Sequence, residues 1–575
     1  MLRLFRFLKP YILSLSIMLV LIFMQTLADL YLPTLMAAII DRGVMKKDTF
    51  FIVRTGGFML LIAAGGVLCA VAASFLSAKA SSGFGRIIRS NVFKRIESFS
   101  LNEFDKLGTS TLITRTTNDI TQVQTVTMMI MRMMISAPIM AVGGIVMAFS
   151  KDKPLTVVLA VALPLLAAAI TLIAVKGLPL FKLMQVKLDK LNLVLRENLT
   201  GIRVIRAFNR VDYEKSRFNE ANADLTDNYI RVNRIMALMM PLLMLIMNFT
   251  TIAIIWFGVI RIDSGEMQVG SLIAFVQYSA LIMFSMLMLS MMFVMVPRAQ
   301  AAAVRINEVL EVVPEINDPK VCKDTGSKRG HIEFRDVTFS YHGAEQPALR
   351  NISFSAKPGE VTAIIGSTGS GKSTLINLIP RFYDVDSGSV MVDGVDVREM
   401  SQSSLRSRIG FVPQKNVLFS GTIRENIRVG KDNASDSEIE KAAEIAQAIE
   451  FISGMEDGFQ HNISQGGANI SGGQKQRLSI ARALVRKPEI YIFDDSFSAI
   501  DFKTDAKLRA ALKQETEGST VLIVAQRVGT VMDANKIIVL DNGAIVGMGT
   551  HSELLKTCAV YREIVASQLP EEETV

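Results

Sequence analysis

Residues 361–379 read Val-Thr-Ala-Ile-Ile-Gly-Ser-Thr-Gly-Ser-Gly-Lys-Ser-Thr-Leu-Ile-Asn-Leu-Ile. The apolar run 361–365 leads into a glycine-rich loop, 366–373, with the pattern G-x-x-x-x-G-K-[ST], and a helical pattern follows from Thr374 to Ile379. A strand, this loop and a helix in that order form the context in which the pattern binds phosphate. The stretch therefore predicts an α/β P-loop domain. A glycine-rich turn formed by chance is the alternative, and it leaves the flanking strand and helix unexplained.

The loop carries several groups that bind phosphate. Its glycines let backbone N–H groups point at phosphate oxygens, and the N-terminus of the following helix adds positive charge. The Lys372 ammonium can reach the β- and γ-phosphates, and the Ser373 hydroxyl can bind Mg²⁺. The predicted nucleotide-binding residues of this stretch are Gly366, Ser367, Thr368, Gly369, Ser370, Gly371, Lys372, Ser373 and Thr374.

Two stretches further along the chain carry matching chemistry. Asp494 ends the apolar run Ile490–Phe493, where a buried carboxylate needs a partner, and Mg²⁺ shared with Ser373 supplies one. A loop aspartate that caps a helix is the alternative. Residues 471–474 read Ser-Gly-Gly-Gln and precede a helical run, Lys475–Leu484. Small residues at a helix start favour anion binding, although taken alone this is equally an ordinary capped helix.

The N-terminal half of the chain is dominated by long apolar stretches. Half of the 575 residues are hydrophobic, and only 20% are charged. A bilayer core needs roughly 20 apolar residues per helix. Six stretches therefore predict membrane spans, at about 12–35, 57–78, 127–149, 155–175, 236–260 and 271–296. The lipid bilayer is the predicted surrounding of this half.

The net charge of +8 is explained better by sidedness than by nucleic acid. Basic residues collect in the loops 79–126 and 176–235, which follow the second and fourth spans. The positive-inside rule places these loops, both termini and the nucleotide domain in the cytoplasm. We expect a multi-pass protein of the plasma membrane with no nucleic-acid partner. The three cysteines have no paired spacing, so no disulfide framework or zinc site is indicated.

These patterns predict two domains joined by a linker. Residues 1–313 form an α-helical membrane domain whose six transmembrane helices have long cytoplasmic extensions, and residues 314–330 form the linker. Residues 331–575 form the α/β P-loop NTPase domain. Short β-rich runs alternate with helical ones there, which is typical of a mainly parallel sheet.

Together these motifs resemble the ATP-binding cassette (ABC) transporters, specifically the six-span exporters with a fused nucleotide domain. The resemblance covers nearly the whole chain. It implies ATP and Mg²⁺ as cofactors and a second half-transporter chain as partner. In this family two cassettes face head to tail, and each ATP lies between one chain's phosphate loop and the other chain's signature motif. A single chain of this kind is half a transporter.

The resemblance also implies roles for particular residues. Tyr341 resembles the aromatic residue that stacks on adenine, and Gln414 resembles the glutamine that touches Mg²⁺ and the attacking water. The implied Mg²⁺-binding residues are Ser373, Gln414 and Asp494. The signature motif, which contacts the partner's ATP, is matched by Ser471, Gly472, Gly473 and Gln474. Asn118, Asp119 and 197–208 resemble the regions around the coupling helices.

Two positions depart from the family pattern. Asp495 stands where the family has a glutamate as general base, and Gln526 stands where it has a switch histidine. Neutral drift in a competent site is one reading of these changes. The other is a weakened ATP site on this chain, combined with an intact signature that completes the partner's site. Residues 464–467, Ser-Gln-Gly-Gly, also depart from the usual Gly-Glu-Arg-Gly of the segment before the signature.

The resemblance therefore favours one subunit of a heterodimeric, multidrug-type exporter over a homodimer. It implies a hydrophobic or amphipathic substrate such as a drug, lipid or peptide. The alternative function is a nucleotide-binding regulatory subunit of a membrane complex that does not itself pump. Four polar residues within the spans are candidates either for substrate contact or for hydrogen bonds between helices: Asp29, Arg132, Asn248 and Gln277.

Overall fold

The computed structural model describes residues 1–323 and 329–568, apart from the side chains of residues 178, 293 and 294. The chain divides into two compact units. The first contains Met1–Glu97 and Ser110–Val312, and the second contains Ser98–Thr109 and Val313–Val575. The sequence-based division ends the membrane domain at residue 313 and includes residues 98–109 in it, whereas the structure groups Ser98–Thr109 with the second unit. Part of the predicted linker, residues 324–328, lies outside the described residues.

The first unit is built from long helices. In the described part of the chain, six helical segments are long and apolar enough to cross a membrane. Each of the six predicted spans falls on one of them, so the prediction of a six-helix membrane domain is confirmed. In chain order, the helices of residues 1–312 are α1 Ile12–Ala38, α2 Thr49–Glu97, α3 Leu101–Leu107, α4 Thr109–Thr114, α5 Ile120–Lys151, α6 Thr156–Thr200, α7 Ile202–Ala207, α8 Val211–Asp263 and α9 Val269–Glu311. The short helix α3 belongs to the second unit.

Short irregular turns extend two of these helices. A 3₁₀ turn, Leu4–Tyr11, precedes α1 and a π turn, Ile39–Val44, follows it. A second π turn, Arg115–Asp119, joins α4 to α5. The structure therefore places Asp119 inside a continuous helical segment of the membrane unit.

Polar contacts tie the helices of this unit together. The Tyr278 hydroxyl on α9 donates to the carbonyl of Leu30 on α1, at 3.0 Å. The Arg305 guanidinium on α9 donates to both oxygens of Asp119, at 2.8 and 2.5 Å. Because Asp119 is buried, this two-bond pairing supplies the partner that a desolvated carboxylate requires.

The second unit contains a mainly parallel sheet, as predicted from the sequence. Its six strands run in the order β12-β11-β3-β10-β9-β6, and only β12 is antiparallel to its neighbour. A separate antiparallel sheet, β2-β1-β4-β5, and a two-stranded pair, β7-β8, were not anticipated. The strands are β1 Ile332–Phe339, β2 Leu349–Ala356, β3 Val361–Gly366, β4 Ser387–Val392, β5 Val395–Asp396, β6 Ile409–Val412, β7 Gly421–Thr422, β8 Asn462–Ile463, β9 Ile490–Asp494, β10 Thr520–Val524, β11 Lys536–Asp541 and β12 Ala544–Gly549.

Helices cover the larger sheet. Its central strands β9 and β10 are buried along their whole length, which is why they read as unbroken apolar runs in the sequence. The helices of the unit after α9 are α10 Lys372–Leu378, α11 Gln402–Ser407, α12 Ile423–Arg428, α13 Asp436–Ile445, α14 Ile449–Ser453, α15 Gly472–Leu484, α16 Phe502–Glu515, α17 Val528–Val531, α18 His551–Thr557 and α19 Ala559–Ala566.

Parallel pairing decides where the functional loops meet. Strand β10 lies between β3 and β9 and is parallel to both. The carboxyl ends of parallel strands lie along one edge of a sheet, and ligands of open α/β sheets bind at that edge. The phosphate loop after β3, Asp494 at the end of β9 and Gln526 after β10 are therefore neighbours, although more than a hundred residues separate the first from the second.

Candidate nucleotide site

The phosphate loop connects β3 directly to α10. Gly369 and Gly371 have φ of +86° and +97°, in the region that favours glycine. A Cβ at Gly371 would lie 2.9 Å from the Ala348 carbonyl oxygen, so the tight turn also has no room for a side chain. Lys372 follows as the first residue of α10, and its ammonium donates back to the carbonyls of Gly366 and Ser367 at 2.8 and 2.7 Å.

The loop fits a bound triphosphate electrostatically. Burial lowers the pKa of Lys372, and the charges of Asp495 and Asp494 oppose that shift. The Ser370 hydroxyl is buried with no hydrogen-bond partner in the described part of the chain. An anion in the loop would supply counter-charge to the Lys372 ammonium and an acceptor to this hydroxyl.

Ser373 and Asp494 form the pair that was predicted to hold Mg²⁺. The Ser373 hydroxyl donates to Asp494 Oδ1 at 3.1 Å. Asp494 is buried, and its burial raises its pKa, while the bond from Ser373 acts in the opposite direction. A buried carboxylate beside a hydroxyl is an oxygen donor set that suits Mg²⁺, and a divalent cation would offset the cost of burying the charge.

The two departures from the family pattern lie in contact with each other. Asp495 Oδ2 accepts hydrogen bonds from the amide of Gln526 at 3.3 Å and from the amide of Gln414 at 3.5 Å. Burial raises the pKa of Asp495, and the Gln414 bond and the Lys372 charge oppose the rise. The backbone of Asp495 has φ of +47°, which is uncommon outside glycine and clusters at functional sites.

The predicted adenine-stacking residue lies beside the loop. The Tyr341 hydroxyl is 2.9 Å from Thr374 Oγ1 on α10. Its ring packs edge-on against Phe339 and Tyr383, with centroids 5.1 and 5.5 Å apart. These contacts orient the ring while leaving the residue 39% exposed, so part of it remains accessible to a planar ligand.

A single cavity collects most of these residues. Its volume is about 350 Å³, which suits a small ligand. It is lined by Tyr341, Ala348, Thr368, Gly369, Gly371, Lys372, Ser373, Thr374, Gln414, Asp494, Asp495, Val524 and Gln526.

The signature residues lie elsewhere in the unit and do not line this cavity. Ser471 caps α15 and its backbone N–H donates to the Gln474 side chain at 2.9 Å, so the two residues form a capping box. The local structure is thus the capped helix that the sequence offered as an alternative, and a capped helix start with small residues can still bind an anion.

The four polar candidates within the membrane spans differ in their exposure. Asp29 is partly buried, and Arg132, Asn248 and Gln277 are exposed in the single chain.

The sequence analysis assigned no role to two residues that support the site. Gln476, two positions after the signature, is buried; its amide donates to the Asp495 carbonyl at 3.5 Å and accepts from Ala499 N at 3.2 Å. Arg527 donates to the Ser498 carbonyl at 3.0 Å. Both lie next to recognised motifs in the sequence, and that proximity was the available signal.

Comparisons with known proteins agree with this geometry. The ABC transporter transmembrane region family matches residues 15–286, and the ABC transporter family matches residues 349–498. An uncharacterized ABC transporter ATP-binding protein of Mycobacterium tuberculosis is 46% identical over 564 residues, which cover 97% of each chain. The ATP-dependent lipid A-core flippase of Pseudomonas fluorescens is 34% identical over 89% of this chain and 85% of its own.

A solved structure shows the same architecture over the whole chain. A bacterial Atm1-family ABC exporter with ATP bound is 25% identical, with a TM-score of 0.80, over 98% of this chain and 99% of that one. The phosphate loop, the Ser373–Asp494 pair and the six apolar helices fit that likeness. This multi-pass membrane protein belongs to the ABC transporter family as an exporter-type half-transporter, an N-terminal transmembrane domain fused to a nucleotide-binding domain that binds ATP with Mg²⁺.

Proposed function

We propose that this chain is one subunit of a heterodimeric ATP-driven exporter and that its own ATP site turns over slowly. The hydrogen bond from Gln526 to Asp495 is the observation that carries the proposal. It joins the two positions that depart from the family pattern. A carboxylate that accepts from two amides has fewer free lone pairs with which to orient water.

The length of the side chain at position 495 argues in the same direction. Aspartate is one methylene shorter than the usual glutamate, so the carboxylate is withdrawn by roughly 1.5 Å. A misplacement of about 1 Å can cost on the order of a hundredfold in rate. Proton transfer to the base also requires hydrogen-bond reach, which the shorter side chain reduces.

The side chain at position 526 removes a second source of catalysis. A glutamine amide can donate a hydrogen bond to the γ-phosphate but cannot carry positive charge. Charge develops on the phosphoryl oxygens during transfer, and a charged donor stabilises it better than a neutral one. Both departures therefore lower the expected rate at the same site.

Residues 471–474 of this chain match the family's signature, with Ile470 in place of the usual leucine before them, so the motif is able to serve a competent site on another chain. Ser471, Gly472, Gly473 and Gln474 would complete the site built on the partner's phosphate loop. The basic loops of the membrane unit support a location in the plasma membrane with the nucleotide domain on the cytoplasmic side. The membrane unit and the similarity to a lipid flippase support a hydrophobic or amphipathic substrate, such as a lipid, drug or peptide.

ATP hydrolysis by the purified chain tests this proposal. We expect weak turnover by the chain alone and a large rise when a second half-transporter with glutamate and histidine at the two positions is added. The neighbouring reading frame in the genome is the first place to look for that partner. Robust hydrolysis by a verified homodimer, equal to that of the mixture, would contradict the proposal.

A further inference from the structure

The segment that carries Gln526 is hydrogen-bonded to Gln568, a residue far from it in the sequence. Gln568 follows α19 and lies 42 residues after Gln526. Its amide nitrogen donates to the Gln526 carbonyl at 2.8 Å, and its amide oxygen accepts from Val528 N at 2.9 Å. One planar amide thus binds the backbone on both sides of residue 527.

Arg527, in the middle of the same segment, adds a second contact through its side chain. Its guanidinium donates to the Ser498 carbonyl at 3.0 Å and lies over the Phe502 ring, 5.6 Å from the centroid. The backbone from 526 to 528 is therefore held at two points, one in the loop before α16 and one after α19. A backbone clamped in this way limits the positions that the Gln526 side chain can reach.

We propose that Gln568 is a positioning residue that holds Gln526 at the nucleotide site. Gln568 touches neither the cavity nor the phosphate loop, so it acts through the backbone of residues 526–528. In the structure the Gln526 amide contacts Asp495. With ATP bound, the same amide would be available to donate a hydrogen bond to the γ-phosphate. The inference uses only ATP binding by this domain and holds whether the partner is a different chain or a second copy.

The competing explanation is that Gln568 only anchors α19. An anchoring role would change stability but would not distinguish nucleotides that differ by one phosphate. A positioning role predicts a loss of ATP affinity without a loss of ADP affinity, because the Gln526 amide that Gln568 positions donates its hydrogen bond to the γ-phosphate, which ADP lacks. It also predicts that Gln568→Ala has no effect on ATP affinity when Gln526 has been replaced by alanine, because no amide is then left to be positioned.

The test measures Mg²⁺-ATP and Mg²⁺-ADP dissociation constants of the full chain. We expect Gln568→Ala to weaken ATP binding about fivefold, the effect of one hydrogen bond, and to leave ADP binding within about twofold. In a Gln526→Ala background, Gln568→Ala should cause no further loss of ATP affinity. Ser567→Ala is the matched control, because its exposed hydroxyl donates to the Ile564 carbonyl in the last turn of α19.

Gln568→Glu keeps the measurement decisive if the alanine variant folds poorly. A carboxylate still accepts from Val528 N but cannot donate to the Gln526 carbonyl. Hydrogen exchange at Val528 should stay slow in this variant, while ATP binding weakens as in Gln568→Ala. Equal losses of ATP and ADP affinity, additive effects of the two alanine substitutions, or wild-type ATP affinity in Gln568→Glu would each overturn the proposal. None of these outcomes depends on heterodimer formation, which is tested by hydrolysis instead.

Discussion

At the scale of single residues, Asp495 combines several constraints. Its backbone has a positive φ, its burial raises its pKa, and its carboxylate accepts from Gln414 and Gln526. A backbone conformation of this kind costs of order 1 kcal/mol or more and persists only where the surroundings enforce it. The neighbouring Val524 carbonyl does so by accepting from Asp495 N at 2.9 Å. This hydrogen bond involves only the backbone of residue 495 and not its side chain.

Restoring the family residues at positions 495 and 526 should raise the rate of ATP hydrolysis at this chain's own site. We expect Asp495→Glu to increase single-turnover hydrolysis by at least about tenfold, because the longer side chain recovers the reach of a general base. Adding Gln526→His should increase it further, because a charged donor replaces a neutral one.

The control for this experiment is Asp432→Glu, an exposed aspartate between α12 and α13 that does not line the cavity. It should leave the single-turnover rate unchanged. No gain from the double variant would mean that these two residues do not limit hydrolysis at this site.

At the scale of elements, the short helix α3 is the least expected part of the second unit. It lies in the sequence between two membrane helices, yet it packs with the nucleotide domain. Glu103 holds it at two points: one oxygen accepts from Ser100 N at 2.6 Å as part of a capping box, and the other accepts from Glu315 N at 3.1 Å. Tyr383 also donates to Asp105 of this helix, at 3.2 Å.

Removing the Glu103 carboxylate should loosen α3. Glu103 is only 5% exposed, and Glu103→Ala leaves the N–H groups of Ser100 and Glu315 without this acceptor. Loss of the capping-box hydrogen bond from Ser100 N costs about 1 kcal/mol. We expect hydrogen exchange in residues 98–109 to accelerate roughly five- to tenfold, as measured by mass spectrometry on the full chain.

Glu440→Ala, an exposed glutamate on α13, is the matched control and should leave exchange in residues 98–109 unchanged. Unchanged exchange in Glu103→Ala as well would show that these bonds do not hold the helix.

At the scale of the whole molecule, the phosphate loop and the signature of one chain serve different ATP molecules in the family arrangement. In this chain Lys372 lines the cavity, whereas Ser471 lies at the start of α15, outside it. A heterodimer with one weakened site would then respond differently to changes in these two residues, and a pair of equivalent sites would not.

We therefore expect Ser471→Ala to reduce hydrolysis by the complex far more than Lys372→Ala. Ser471 would contact the γ-phosphate at the partner's competent site, where losing one such donor costs about 10²–10³-fold. Lys372→Ala should weaken ATP retention at the slow site and leave much of the hydrolysis intact. Both variants are measured at saturating ATP in the assembled complex. Equal loss from the two substitutions would fit two equivalent sites and exclude the asymmetric arrangement.

Local patterns in the sequence were enough to predict the fold class and to single out many of the residues that line the candidate cavity. The loop 366–373 and the apolar strand before Asp494 are recognisable in the sequence, because each consists of residues that follow one another in the chain. The six spans were equally clear, since a bilayer imposes a length and a composition on each helix separately. The residue at position 495 or 526 could be recognised as unusual only through the resemblance to a family.

The tertiary structure decided what no local pattern contains. The contact between Gln526 and Asp495 joins residues 31 apart, and it exists because β9 and β10 pair in parallel and end at the same edge of the sheet. The packing of α3 with the nucleotide domain and the hold of Gln568 on residues 526–528 depend on backbone N–H and C=O groups, which every residue possesses. Because such bonds leave no mark on residue type, they became visible only once the chain was folded.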